Sequence, residues 1–136
     1  MNQPIHVVAA AIEHDGRYLC TRRGLTRYPN TSNKWELPGG KQEPGESEAE
    51  ALRREIREEL ALDIEPGEAI LTVRHDYPDF SIIMTAYRCR CLGSEEPHPV
   101  LREHREALWL LPSQLPELDW AAADIPIVEE IVKQGE

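Results

Sequence analysis

Residues 47–60 read "SEAEALRREIREEL", and the reading of this stretch sets how the rest of the chain is understood. Ser47 has the character of a helix N-cap, and Glu50, three places on, completes a capping box in which each side chain satisfies the other's free backbone N–H. At about 100° per residue, Ala49, Leu52, Ile56 and Leu60 fall on one stripe, enough to dock a helix on a sheet. Glu55, Glu58 and Glu59 form a second stripe, with Arg53 and Arg57 mostly opposite. Arg54 can reach Glu58, but such a pair is worth only about 0.3–0.5 kcal/mol. Three carboxylates therefore crowd the half of the helix where the backbone dipole already places negative charge. A solvated face normally mixes its signs. A divalent cation held by these carboxylates would remove both penalties, and magnesium, a hard ion that keeps waters and substrate phosphates as its other ligands, suits such a set.

Outward from this helix the chain reads as strands. "IHVVAAAI" (5–12) is apolar enough for a buried strand, and "HDG" (14–16) turns it into a second at 17–23. Residues 24–33 are rich in turn formers. "KWEL" (34–37) is a short strand stopped by "PGG" (38–40), where glycine permits backbone angles other residues avoid. "EPGE" (43–46) is a turn, and "EPG" (65–67) breaks the chain after the helix. Residues 69–77 and 80–92 are expected to pair antiparallel, 93–100 to form a loop, and 107–111 a last strand. Asp124 is placed to cap a closing helix with Pro126 in its first turn and Ile127, Val128, Ile131 and Val132 facing the core. Strands, one long helix, more strands and a final helix suggest an α/β fold, a mixed sheet with helices packed on it.

The 136 residues suit one compact domain, and 25 acidic against 15 basic side chains give a formal net charge of −10. That argues against a nucleic acid polymer or an anionic membrane as partner. A small phosphorylated ligand is compatible if cations screen the site. No apolar run approaches the roughly 20 residues needed to span a bilayer, and the first residues lack the basic segment of a signal peptide. Three cysteines, an odd number, form no disulfide framework and fit a reduced cytoplasm. Cys89 and Cys91 share one face of a strand and read as packing residues, since two thiols fall short of the four ligands zinc wants.

Taken with its upstream neighbours, the acidic helix resembles a known motif. Gly40, Glu46, Arg54, Glu55, Ile56, Glu58, Glu59 and Leu62 match eight of the nine specified positions of the Nudix box, G-x5-E-x7-R-E-U-x-E-E-x-G-U, across 40–62. Ala61 stands in place of the box glycine. "CTRRG", "NKWELPGGK" and "ADIP" are similar to the MutT branch of the Nudix hydrolases and to its CTP pyrophosphohydrolase relatives. The resemblance implies one Nudix domain over 1–136, an α/β/α sandwich with a mixed sheet and a long catalytic helix. It implies hydrolysis of a nucleoside triphosphate to the monophosphate and pyrophosphate, by attack of water on the β-phosphorus, with Mg2+ as cofactor and Mn2+ as a substitute.

Residue by residue, the box implies Glu55, Glu58 and Glu59 as metal ligands, Arg54 as the brace that orients them, and Glu46 as its partner. The Gly39 carbonyl matches a further ligand, and Glu103, six residues before Trp109, matches an acid tied to metal binding or water activation. Glu55, Glu58 and Glu103 are the candidates for the general base. Arg23 and Lys41 offer positive charge to phosphates, Leu37 and Phe80 line a base pocket, and Asp124 stands where the family places a base-reading polar group. Phe80 follows "PD" where the MutT pattern has arginine, so oxidised guanine and cytosine both stay open as bases.

Rival readings are a Nudix-fold module that binds nucleotide without hydrolysis, and an acidic helix that is purely structural. "GGK" is no P-loop, since Gln42 follows Lys41 where serine or threonine is required. His75, His98 and His104 read as surface residues, Trp35 as a packing residue, and Trp120 as either a packing or a base-stacking one. Ala61 leaves two alternatives: the helix runs through it, or it ends there and the strain is absorbed nearby. Nothing in the sequence specifies an oligomeric state.

Overall fold

The computed structural model describes residues 3–25, 31–93 and 95–135; parts of the loops read over 24–33 and 93–100 lie outside these. The central strand, β1 (Ile5–His14), is apolar on both sides because both sides are covered. Val8, Ala10 and Ile12 point into one cluster, with Leu52, Ile56 and Leu60 of α1 (Glu48–Leu60). Ala9 and Ala11 point into another, with Ile127, Val128 and Ile131 of the closing helix α2 (Ile125–Gln134). Each helix thus buries one apolar stripe on one face of the sheet, which is the expected α/β/α sandwich.

Among the described residues the sheet has seven strands and is mixed. The turn at Asp15 and Gly16, both at positive φ, leads into β2 (Arg17–Arg23), as the "HDG" signal implied. β1 runs parallel to β6 (Ser81–Cys91), and β6 pairs antiparallel with β5 (Ile64–Asp76). β2 carries β3 (Trp35–Glu36) and β7 (His104–Leu110), both antiparallel. After the first residues of the hairpin, β1 and β2 diverge, and β4 (Gly39–Lys41) pairs with Val7, Val8 and Ala9 of β1.

Three local readings change. "EPG" at 65–67 lies inside β5 rather than breaking the chain, with the register shifting around it. β5 is at the edge of the sheet, where a proline's missing N–H is tolerated. β3 does stop before "PGG", but Gly39 and Gly40 then form β4, and neither has positive φ. Ala51 is fully buried in α1, whereas Ala49 is only half-buried. Cys20 and Cys89 are buried, and burial pushes both thiols up to about 12, in keeping with packing roles. No helix among the described residues is long and apolar enough to cross a membrane.

Candidate active site

The capping box forms as expected: Ser47 Oγ accepts from the Glu50 N–H at 3.1 Å, and Glu50 accepts from the Ser47 N–H at 2.9 Å. With its start fixed, α1 carries Arg54 and the three glutamates alongside β4. Gly40 is needed there for close approach, because a Cβ on it would overlap the Glu55 carboxylate; one on Gly39 would overlap the Val8 carbonyl. Arg54 is the hub of this region. Its fork binds both oxygens of Glu46 at 2.7 and 2.9 Å, and it donates to Glu55 at 2.9 Å, to the Lys41 carbonyl at 3.0 Å and to Glu58 at 3.4 Å. The guanidinium, helped by the Glu43 N–H, holds the Glu46 carboxyl down to about 2.

The three helix glutamates differ in surroundings. The Glu58 side chain is 59% exposed and that of Glu55 15%. Glu59 is buried, and its Oε2 has no hydrogen-bond partner. Burial, then the negative charges of Glu55, Glu103 and Glu36, push its carboxyl up to about 9. Among the described residues, no three acidic, histidine or cysteine side chains already converge into an ion cage. The fit to a cation rests on Glu59: a buried carboxylate oxygen without a partner, facing further carboxylates, has the donor chemistry of a hard divalent ion. Glu103 is exposed, just before β7, and close enough for its charge to act on Glu59.

Where β1 and β2 diverge, a cavity of about 490 Å3 opens. Arg23, Leu37, Gly39, Lys41, Phe80 and Asp124 all line it, so the structure brings together every residue that the sequence assigned to substrate. Gly40 lines it too, and so joins the cavity to the Glu55 carboxylate. Asp124 is buried and accepts from the Leu37 N–H at 2.9 Å. Burial, then the Glu36 charge, push its carboxyl up to about 8. It makes no side-chain cap to α2, so the expected capping role is corrected: its oxygen is spent on Leu37 instead.

Two residues of this region, Glu36 and Tyr77, escaped the sequence reading, and a third, His104, was misread. Glu36 lines the cavity, accepts from Arg23 Nε at 2.8 Å and lies 3.4 Å from His104 Nε2. Burial alone would raise its carboxyl; His104 and Arg23 outweigh that and hold it below the ordinary range. A charge flanked by Trp35 and Leu37 in a short strand was the available signal. Tyr77 lines the cavity, stacks at 5.1 Å from Phe80, and accepts from the Ala123 N–H at 3.1 Å. His104 is no surface residue, since only 5% of its side chain is exposed. Trp120 is buried with its indole N–H on the Leu115 carbonyl at 2.7 Å, and does not line the cavity; its role is packing.

A family model described as "NUDIX domain" matches residues 7–130. The chain belongs to the Nudix family. A Mycobacterium tuberculosis protein provisionally named 8-oxo-dGTP diphosphatase 2 is 38% identical to it over 119 residues, 87% of this chain and 81% of that one. The CTP pyrophosphohydrolase of Escherichia coli is 35% identical over 126 residues, 92% and 89% of the two chains. The crystal structure of a MutT protein from Methanosarcina mazei superimposes with a TM-score of 0.84 at 26% identity, covering 100% of this chain and 99% of that one. Ala61, which stands where the Nudix box pattern has glycine, takes the left-handed conformation itself, at φ 55° and ψ 35°, so the helix ends there.

Proposed function

We propose that this Nudix protein is a Mg2+-dependent hydrolase that converts a nucleoside or deoxynucleoside triphosphate to the monophosphate and pyrophosphate, with a role in clearing the nucleotide pool. One observation supports the reading: Gly40 both lines the cavity and packs against the Glu55 carboxylate, so a nucleotide seated with its phosphates at the Gly40 end would bring them beside Glu55 and the glutamates near it. The cavity volume lies within the range of about 300–1,000 Å3 usual for small-molecule sites.

In this reading Leu37 and Phe80 contact the base, while Arg23 and Lys41 face the phosphates. The four glutamates and the Gly39 carbonyl would hold the metal, with Mn2+ able to replace Mg2+. Bound there, the ion would neutralise triphosphate charge and lower the pKa of a coordinated water. Glu59, with its buried orphan oxygen, suits a ligand. Glu55, Glu58 or Glu103 accepts the proton of the attacking water. Attack at the β-phosphorus breaks its bond to the oxygen shared with the α-phosphate, and that oxygen leaves with the monophosphate. Arg54 keeps Glu55 and Glu58 oriented throughout.

Asp124, held neutral by burial, offers a hydroxyl hydrogen to a base carbonyl while its other oxygen keeps the Leu37 N–H. Guanine-type and cytosine bases both carry such a carbonyl, and relatives named for each match this chain. The test is a panel of unmodified, oxidised and methylated nucleoside triphosphates with Mg2+ or Mn2+, scored by pyrophosphate release and kcat/KM. Glu58→Gln and Glu59→Gln should each lower kcat by at least ~100-fold with the fold intact. Release of no pyrophosphate from any nucleotide would leave a binding module instead.

A further inference from the structure

An α-helix leaves its last four carbonyls without intrahelical partners. In α1 these belong to Arg57, Glu58, Glu59 and Leu60, and the turn after the helix supplies only one donor: the Ala61 N–H reaches Arg57 O at 3.1 Å. The rest come from a distant segment, Val100–Arg102. The Val100 N–H donates to Leu60 O at 2.8 Å and the Arg102 N–H to Glu59 O at 3.2 Å. The Arg102 guanidinium closes the set, its Nη1 reaching Glu58 O at 3.3 Å and Arg57 O at 3.5 Å. A cation therefore sits at the negative pole of the helix, where the three box glutamates also lie. The next residue along the chain is Glu103, whose charge already acts on Glu59.

We infer that Arg102 is a positioning residue of the metal site: by clamping the segment before β7 onto the end of α1, it sets where Glu103 stands relative to Glu59. The inference rests on the reading of those two glutamates as metal ligands, and adds a residue outside the Nudix box that governs how the fourth carboxylate joins the other three. Four helix carbonyls engaged by one short segment leave little freedom for its neighbour. Loss of the guanidinium frees the segment from two of them, leaving the Arg57 carbonyl on Ala61 and the Glu58 carbonyl without either bond. The two remaining backbone bonds hold the segment near the helix without fixing its angle, so the Glu103 carboxylate spreads over more orientations. A single nitrogen makes both guanidinium contacts, so a lysine ammonium can replace it.

The test measures Mn2+ binding to the full chain without nucleotide, by electron paramagnetic resonance, beside the Mg2+ dependence of hydrolysis. Arg102→Ala should weaken Mn2+ binding by about tenfold, as loss of a residue that orients a ligand does, and leave the nucleotide KM at saturating metal unchanged. Arg102→Lys should recover most of the affinity. In a Glu103→Gln background, Arg102→Ala should weaken binding no further. A lower Tm with unchanged Mn2+ affinity would show a merely structural cap and overturn the inference. So would a loss that persists undiminished beside Glu103→Gln. Absence of Mn2+ binding in the wild type is a distinct result, and it removes the metal-site reading itself.

Discussion

Asp124 accepts one N–H from Leu37 and is buried in the cavity wall, beside the negative Glu36. Its carboxyl stands at about 8 in the fold, against about 3.9 in an unfolded chain. Between those values the folded state keeps a proton that the unfolded state has lost. At this site, then, stability is greatest below about pH 4 and falls as pH rises toward 8. Asp124→Asn keeps the acceptor for Leu37 and cannot ionise. Urea unfolding from pH 5 to 8 should show a smaller decline for the variant than for the wild type; an equal decline would mean Asp124 ionises normally. The same substitution should shift base preference in the nucleotide panel, since an amide donates where the neutral acid does but carries two hydrogens. Glu59 follows similar physics. The sequence grouped it with Glu55 and Glu58 by spacing, but spacing does not say which of the three the sheet covers.

The helix α1 shows how far local rules reach. Its start was legible, because a capping box involves only residues 47–50 and needs nothing else. Its apolar stripe was nearly so, with Ala51 taking the burial expected of Ala49. Its end divides into a local and a distant part. Ala61 takes left-handed angles that cost an alanine roughly 1 kcal/mol. Ala61→Gly removes that strain at the price of a freer unfolded chain, so it should stabilise by ~0.5–1 kcal/mol in urea or thermal unfolding, with turnover unchanged. A destabilised Ala61→Gly protein would mean the left-handed cap is not formed in solution. The distant part, the segment at 100–102, has no signature in the sequence of the helix it caps.

At the scale of the whole molecule, a divalent cation held by the crowded carboxylates, as proposed, would link metal binding to the stability of the fold. At about a hundredfold excess over its Kd, a ligand that binds only the folded state adds ~2.7 kcal/mol. Mg2+ or Mn2+ should therefore raise Tm by several degrees, and Glu59→Gln should lose that increment. An unchanged wild-type Tm would favour a purely structural acidic helix. The α/β/α order, the hairpin at Asp15–Gly16 and the box spacing were legible in the sequence, because hydrophobic period, turn chemistry and helix caps act over a few residues. β5 was missed at 65–67, since a proline reads as a break until its place at the sheet edge is known. Tyr77 was missed because nothing nearby in sequence announces it; the charge between Trp35 and Leu37 marks Glu36 without showing what covers it, and His104, read as a surface residue, is buried by elements far from it in sequence. By itself, then, the sequence determined which residues carry charge and at what helical spacing. Only the tertiary structure decided which of them lose water, and so which are neutral, paired or orphaned: Glu59, Asp124, Glu36 and His104 take their state from elements far apart in the chain. The physical reason is that desolvation depends on everything packed around a group, while propensity and spacing depend on its neighbours in sequence.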